Sequence, residues 1–454
     1  MGYSTGSFGI SHPLLAAPLC SIMNASLQQS RLPSIWKCAA VTPLTKVKVL
    51  HNIKTDLRPI SLTPVVSKVN EEFVVQWLWR IVGHKIDPMQ FGSVRNSSTT
   101  FALVELMHHC FSATDASRHF VHLLLLDYKK AFDLIDHTLL LPKLVALGVP
   151  NCLVNWIRAF LTNRQQQVKI GKSLSHWSTT NGGVPQGTKL GPVLFAIMIN
   201  DLKPNPGSMM LKYVDDTTVW CSGAETRNTN LQNAASSAER WAKENNMQIN
   251  PTKTKDMVID FSKKRHHTSN SIVMDGSNIE SVKVTKLLGV YISDDLTWNA
   301  HIDYITSKAS QRIYHICALK RAGVTDQDMV GVYKSIIQPI LEYASPVWHP
   351  GLSIHLSDKI ENIQKRVLKC VFPGIPYTEA LRKAELQTLY DRRQHECLKL
   401  YKNMQNRNHK LFHLLPQKKQ VPYMIRNPRT FSLPKIKTKR TLGSFINWCI
   451  FNLQ

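Results

Sequence analysis

Residues Tyr213 to Asp216 read Tyr-Val-Asp-Asp, and they constrain the fold more than any other stretch of the chain. The approach, Met209-Met210-Leu211-Lys212, and the exit, Thr217-Thr218-Val219-Trp220, both suit extended backbone. The pattern predicts strand, tight turn, strand, with paired carboxylates at the tip. Upstream, Leu123-Leu124-Leu125-Leu126 runs into Asp127. A short apolar run of this kind predicts a buried strand that delivers a carboxylate at its C-terminal end. Two-metal phosphoryl transfer needs carboxylates that bridge ions roughly 3.5–4 Å apart. Hard oxygen ligands suit Mg²⁺, which also keeps water and phosphate oxygens in its shell. An Asp-Asp pair without context is ordinarily a turn, so the surrounding segments decide the reading.

Composition narrows the partners. A net charge of +25 calls for a polyanion, with nucleic acid first; a basic enzyme acting on small substrates is the alternative. A chain of 454 residues, 43% hydrophobic, suits about two or three packed subdomains. The nine cysteines are scattered, with no CxxC pair and no cysteine–histidine cluster at zinc spacing. No basic segment precedes the fairly apolar residues 13 to 27. Together these features predict reduced thiols in an intracellular protein of nucleus or cytoplasm, not a secreted one. No apolar run reaches the roughly 18 residues of a membrane span, so no membrane partner is expected.

Along the chain, Leu14, Leu15, Leu19, Ile22 and Met23 have helical spacing. Residues 33 to 66 alternate around prolines, as short strands do. Val65 to Val82 predicts a helix with Val69, Phe73, Val74 and Trp77 on its apolar face. Thr99 to Cys110 predicts another, capped by Ser97 or Ser98. Strands are predicted at 120–127, 209–214, 217–220 and 257–261. Leu190, Val193, Leu194, Ile197 and Met198 mark a helix, as do residues 229 to 246. From Trp298 to Leu319 the pattern is helical, and Gln338 to Ala344 sits near a second bend. The sum is α+β, a sheet with helices on one face. The pairs His108-His109 and His266-His267 lack metal-spaced companions and read as surface residues. After Glu396 no Asp or Glu appears, while Lys418-Lys419 and Lys435 to Arg440 add charge. That tail is either a solvated basic segment or a nucleic-acid-binding one, interleaved with Phe412, Tyr423, Phe431 and Trp448.

Several segments in fixed order carry a family resemblance. They are Leu32-Pro33-Ser34-Ile35-Trp36-Lys37, Leu57-Arg58-Pro59-Ile60-Ser61-Leu62-Thr63-Pro64 and Asp127-Tyr128-Lys129-Lys130-Ala131-Phe132-Asp133. Gly183-Val184-Pro185-Gln186-Gly187, Leu190-Gly191-Pro192 and Tyr213-Val214-Asp215-Asp216 follow, then Asn250-Pro251-Thr252-Lys253-Thr254-Lys255 and Lys286-Leu287-Leu288-Gly289-Val290. The chain resembles the reverse transcriptases of LINE-type (non-long-terminal-repeat) retrotransposons, in the chicken-repeat and Jockey group. The resemblance implies a right-hand polymerase fold: fingers, a palm of antiparallel sheet plus helices, and a helical thumb. Its expected layout is an N-terminal segment at 1–30, fingers and palm at 31–295, thumb at 296–375 and a basic extension at 376–454. The implied activity is RNA-directed DNA polymerisation with two Mg²⁺ ions, Mn²⁺ being an alternative. The partners would be RNA template, DNA primer or target, and deoxynucleoside triphosphates, with oligomeric state left open.

By the same resemblance Asp127 and Asp215 bind metal directly, and Asp216 supports them or binds transiently. Phe132, five residues after Asp127, would block the ribose 2′-oxygen. Gly183, Pro185, Gln186 and Gly187 would support the templating base and the incoming nucleotide. Arg58 and Lys46 would grip the triphosphate, with Lys54 a rival for Lys46; arginine offers a planar fork to phosphate. Lys253 would act as general acid to pyrophosphate. Leu288 and Gly289 would form the primer grip. Asp133 and Asp136 are expected at helix starts or on the surface. Two other readings remain: a catalytically inactive nucleic-acid-binding remnant, and an RNA-dependent RNA polymerase, against which Phe132 and Pro-Gln-Gly argue. LINE proteins carry an endonuclease upstream and nothing here matches one, so the chain is expected to be a fragment of an element's reading frame or a gene derived from one.

Overall fold

A computed structural model of the chain describes residues 8–46, 49–115, 120–223, 229–261, 271–418 and 431–452. His266-His267 and Tyr423 lie outside them. By compactness the chain divides into two units, each discontinuous in sequence. The first takes Met1–Val94, Asp127–Lys203 and Ser237–Asn250; the second takes Arg95–Leu126, Pro204–Ser236 and Pro251–Gln454.

In the first unit, strand Cys38–Thr45 pairs antiparallel with Leu57–Leu62 and parallel with Arg164–Ile170. The last of these also pairs with Ser173–Leu174 and Ser178–Thr180. The prolines expected in this region sit within the pair, Pro43 opposite Pro59. Helix Asn151–Leu161 starts after Pro150, whose fixed φ suits a helix entry. It buries Trp156 and Phe160, which stack with ring centroids 5.7 Å apart. Side chains of this size and burial cost about 3–5 kcal/mol to truncate. The Trp156 indole donates to the Ser26 hydroxyl at 3.0 Å, which fastens helix Phe8–Gln29 to this core.

Helix Val65–Val82 has the predicted bounds but turns a different face inward. Val74 is buried as expected, whereas Val69, Phe73 and Trp77 are 42%, 54% and 38% exposed. The buried stripe is Ser67, Asn70, Glu71, Val74, Leu78 and Val82. Glu71 explains the rotation. Its carboxylate accepts the backbone N–H of Lys189 at 2.7 Å and of Leu190 at 3.3 Å, and the Ser67 hydroxyl at 3.1 Å. Burial pushes its pKa up while these bonds act the other way. A buried acceptor with so many fixed donors sets the helix orientation more firmly than an apolar stripe does.

The second unit holds a five-stranded sheet in the order Glu280–Ser281, Lys255–Asp260, Phe120–Leu126, Asp216–Gly223, Met209–Tyr213. All neighbours are antiparallel except the Glu280–Ser281 edge. Helix Thr99–Asp115 packs on this sheet, and Ser98 caps it by accepting the Phe101 N–H at 3.2 Å. From Asn299 the unit is helical: Asn299–Arg321 lies against Ile354–Val371.

The described part of the acid-free C-terminal stretch folds into this unit. Asp115 accepts the N–H of Lys437 at 2.9 Å and of Thr438 at 3.0 Å, while Arg440 donates to the Thr114 carbonyl at 2.9 Å. Phe431, Phe445, Ile446, Cys449 and Ile450 are buried. Phe431 is therefore core rather than a surface for stacking bases. His108 and His109 also depart from the surface reading. Both are half-buried, and His109 bonds Glu105, as does His413. Burial brings the His108 pKa down to about 4.

Candidate active site

The sheet register of the second unit fixes the carboxylate-bearing ends. Leu126, last residue of its strand, pairs with Thr217. Asp127 follows Leu126 directly in the chain, and Asp216 directly precedes Thr217. Tyr213 pairs with Asp216, so Val214 and Asp215 form a two-residue turn. Val214 alone of the two has a positive φ, +58°, the pattern of a type II′ hairpin. A β-branched residue there is a true outlier, strained by about 1–3 kcal/mol. Asp215 is half-buried and Asp216 exposed. The Tyr213 phenol is pushed up by burial, then by nearby Tyr343 and Asp216.

In the first unit Asp127 is held by Asn250. The Asn250 backbone N–H donates to the Asp127 carbonyl at 2.7 Å, and its side-chain amide donates to the carboxylate at 3.2 Å. The bridge Tyr128–Ile249 and the Lys129 N–H to Gln248 carbonyl bond, 2.8 Å, continue the pairing. Sequence alone assigns Asn250 no role; its signal is its place at the head of the Pro-Thr-Lys segment.

Phe132, Gln186 and Gly187 come together in that unit. The Phe132 carbonyl accepts the Val184 N–H at 2.8 Å, and its ring stacks on Phe195 with centroids 5.2 Å apart. The Gln186 carbonyl accepts the Ser61 N–H at 2.7 Å, and its side chain donates to Asp133 at 3.2 Å. Asp133 is exposed, as expected, yet fixes Gln186. Gly187 has φ +115°, and a Cβ there would meet the Ser61 carbonyl at 2.7 Å, so only glycine fits. Asp136 caps helix His137–Ala146, as its place in the sequence suggested.

Arg58 and Lys46 sit at the same end of one strand pair. Leu44 faces Arg58, Thr45 faces Leu57, and Lys46 follows Thr45. Both cations are exposed; the side chain of Lys54 lies outside the described set. A cavity of about 390 Å³ is lined by Ser61, Asp133, Arg164, Gln165, Gly183 and Gln186 among others. Arg164 is 4% exposed and lies over the Phe160 ring. Its Nη1 donates to the Phe160 carbonyl at 2.9 Å, while Nη2 has no partner among the described residues. Arg164 is not among the residues that the motifs single out, and its signal in the sequence is a cationic, glutamine-rich strand upstream of Pro-Gln-Gly.

In the second unit Lys253 is exposed in the turn before strand Lys255–Asp260. Leu288 and Gly289 form the turn of a hairpin, with φ of +46° and +89°. Within each unit, among the described residues, no three His, Cys, Asp or Glu side chains form a group able to hold a metal.

The family described as reverse transcriptase (RNA-dependent DNA polymerase) matches residues 46–292 of the chain. The chain belongs to the reverse transcriptase family. The matched span contains Asp127, Phe132, Gln186 and the Asp215-Asp216 hairpin. Members of this family depend on divalent metal. Among its relatives is the probable RNA-directed DNA polymerase from transposon X-element of Drosophila melanogaster, 25% identical over 404 residues, which are 84% of this chain and 44% of that protein. Another is the RNA-directed DNA polymerase from mobile element jockey of the same fly, 26% identical over 381 residues, 81% of this chain and 41% of that protein. The chain thus spans less than half the length of these relatives. Both agree with the LINE-type, Jockey-like resemblance. Of solved structures, telomerase from Candida tropicalis with the TWJ fragment of telomeric RNA aligns with TM-score 0.43 and 10% identity, over 84% of this chain and 59% of that one. The α+β class holds throughout the described residues, and the right-hand plan comes with the family. No helix among the described residues is long and apolar enough to cross a membrane.

Proposed function

We propose that the chain is an RNA-directed DNA polymerase of a LINE-type element, extending a DNA primer on an RNA template. One observation carries this: the Leu126–Thr217 register, with Asp127 one peptide bond beyond it and Asp216 one before it. Two Mg²⁺ ions, or Mn²⁺, would activate the primer 3′-hydroxyl and neutralise charge on the triphosphate. Asp127 and Asp215 would hold them, with Asp216 in support and Asn250 keeping the Asp127 carboxylate in one orientation. Phe132, fixed by its stack on Phe195, would exclude a ribose 2′-hydroxyl. Gln186, Gly187 and the cavity beside Arg164 would receive the templating base. Arg58 and Lys46 would bind the triphosphate, and Lys253 would protonate the departing pyrophosphate. Leu288 and Gly289 would bear on the primer strand. On this reading residues 31–295 carry fingers and palm, 296–375 the thumb, and 376–454 a basic C-terminal extension.

The test is primer extension by the full chain on an RNA template with deoxynucleotides and Mg²⁺. Asp215→Asn should lower the rate on the order of 10³-fold, since losing a ligand charge removes several kcal/mol of transition-state stabilisation. Binding of primer–template should persist. Wild-type extension by the variant would refute the assignment. A wild-type chain that binds but never extends would leave the inactive remnant as the reading.

A further inference from the structure

The hairpin Val284–Leu287 and Val290–Ser293 closes through Leu288 and Gly289, both at positive φ. That is the pattern of a type I′ turn, which favours Asn or Gly at both positions. A leucine there needs something to hold it, and Tyr343 does so. The Tyr343 hydroxyl donates to the Leu288 carbonyl at 2.8 Å and lies 2.8 Å from the Thr99 hydroxyl. Thr99 opens the helix that packs on the sheet bearing the Asp216–Gly223 strand. The Tyr343 ring also closes the space beside the turn: a Cβ on Gly289 would meet its Cε1 at 2.9 Å.

Tyr343 is itself aimed by the backbone. Ala344 follows at φ +53°, a left-handed kink between helices Gln338–Glu342 and Ser345–Trp348. The Trp348 indole donates to the Tyr343 carbonyl at 3.0 Å. The phenol of Tyr213, in the aspartate hairpin, also feels Tyr343. One side chain thus ties the turn to the helix.

We propose that Tyr343 is a positioning residue for nucleotide addition: by fixing the Leu288–Gly289 turn to helix Thr99–Asp115, it aligns the primer 3′ end. The proposal rests on the assignment of that turn to the primer strand.

The experiment uses the full chain with a recessed DNA primer on an RNA template. The primer carries 2-aminopurine at its 3′ terminus or, as control, at an internal position. Tyr343→Phe keeps the ring beside Gly289 and removes only the hydroxyl. Loss of one hydrogen bond of this kind should raise KM for primer–template about 5-fold, with KM for deoxynucleotide unchanged and the melting temperature lowered by at most a few degrees. Terminal 2-aminopurine fluorescence should rise relative to wild type as the end loosens, and the internal probe should not respond. Thr99→Val should shift the same quantities in the same direction, and the double variant should fall short of the product of the two effects. Wild-type terminal fluorescence and primer KM in Tyr343→Phe would overturn the proposal. So would an equal rise in both KM values with a melting temperature lowered by more than a few degrees, which marks a packing residue alone. If the wild-type chain binds primer but never extends it, the polymerase reading fails, and the terminal fluorescence still decides the role of Tyr343.

Discussion

Replacing Phe132 by valine tests its proposed role in sugar selection. The Phe132 carbonyl keeps its bond to Val184 N–H, 2.8 Å, whatever the side chain. What disappears is a half-buried ring stacked on Phe195, centroids 5.2 Å apart and planes inclined by 29°. Such a stack is worth about 0.5–1.5 kcal/mol beyond burial. The stability loss should therefore stay within the usual range of about 0.5–3 kcal/mol. Selectivity should change more. Steric filling of a site discriminates between ligands that differ by one small group by about 10- to 200-fold. The ratio of kcat/KM for ribonucleotide over deoxynucleotide should accordingly rise about 10- to 100-fold in Phe132→Val, with kcat/KM for deoxynucleotide falling less than about 10-fold. Phe132→Tyr, which keeps the bulk, should retain selection. The assay is single-nucleotide insertion with matched ribo- and deoxynucleotides on an RNA template. An unchanged ratio in a folded Phe132→Val protein would refute the reasoning and leave Phe132 as a packing partner of Phe195.

Two further predictions concern the C-terminal attachment. Burial would raise the Glu105 pKa, but bonds from His109 and His413 bring it from 4.5 down to about 2, and the bond to Glu105 raises that of His413 from 6.5. The Glu105 contribution is present above pH 4.5 and is lost as pH falls toward about 2; that of His413 is present below pH 6.5 and is lost as pH rises through its raised value. Melting temperature should drop between pH 6 and pH 9 more steeply in wild type than in His413→Gln, and equal slopes would refute the linkage. For the basic surface, Lys399, Lys402, Lys435, Lys437 and Lys439 are exposed, while Leu400, Met404, Phe431 and Phe445 of the same stretch are core. Truncation at 397 would expose that core, so the charges are the variable to change. Replacing the five lysines by glutamine should flatten the slope of log affinity against log salt by up to roughly 0.7–0.9 per lost phosphate contact, and an unchanged slope would place the relevant charge elsewhere.

The sheet that carries the aspartates was legible because its information is local. Leu123 to Asp127 and Met209 to Trp220 each announce a strand and a carboxylate within a few residues, and the observed strands end within three residues of the predicted ones. What escaped was set by partners distant in sequence. Glu71 turns its helix toward N–H groups 118 and 119 residues away, which no apolar periodicity encodes. Asp115 captures Thr438 across 323 residues and draws into the core the described part of a tail whose composition suits a solvated or a nucleic-acid-binding segment. Asn250 and Tyr343 were in view as letters of motifs or bends. Their roles depend on which atom each side chain meets, the Asp127 carboxylate for Asn250 and the Leu288 carbonyl for Tyr343, and that follows only from the fold.

The two hairpin turns of the second unit share a physical feature that bears on function. Val214 and Leu288 each adopt left-handed backbone where glycine or asparagine would relax it, at about 1–3 kcal/mol apiece. Such conformations persist only where the surroundings over-determine them. For Val214 the constraint is strand pairing on both sides, from Tyr213–Asp216 back to Met209–Trp220, with the Leu126–Thr217 ladder beyond. The Leu288 turn is held by the Leu287–Val290 pair and by the Tyr343 hydroxyl on its carbonyl. A glycine at either place would adopt the same φ without strain, yet it would also leave the turn free to take others. Strain maintained by rigid neighbours is a means of keeping a reactive geometry in one state before substrate arrives. On the proposed function, nucleotide addition would require that of both turns, because a carboxylate on one and a primer end on the other would have to meet the same reacting atoms.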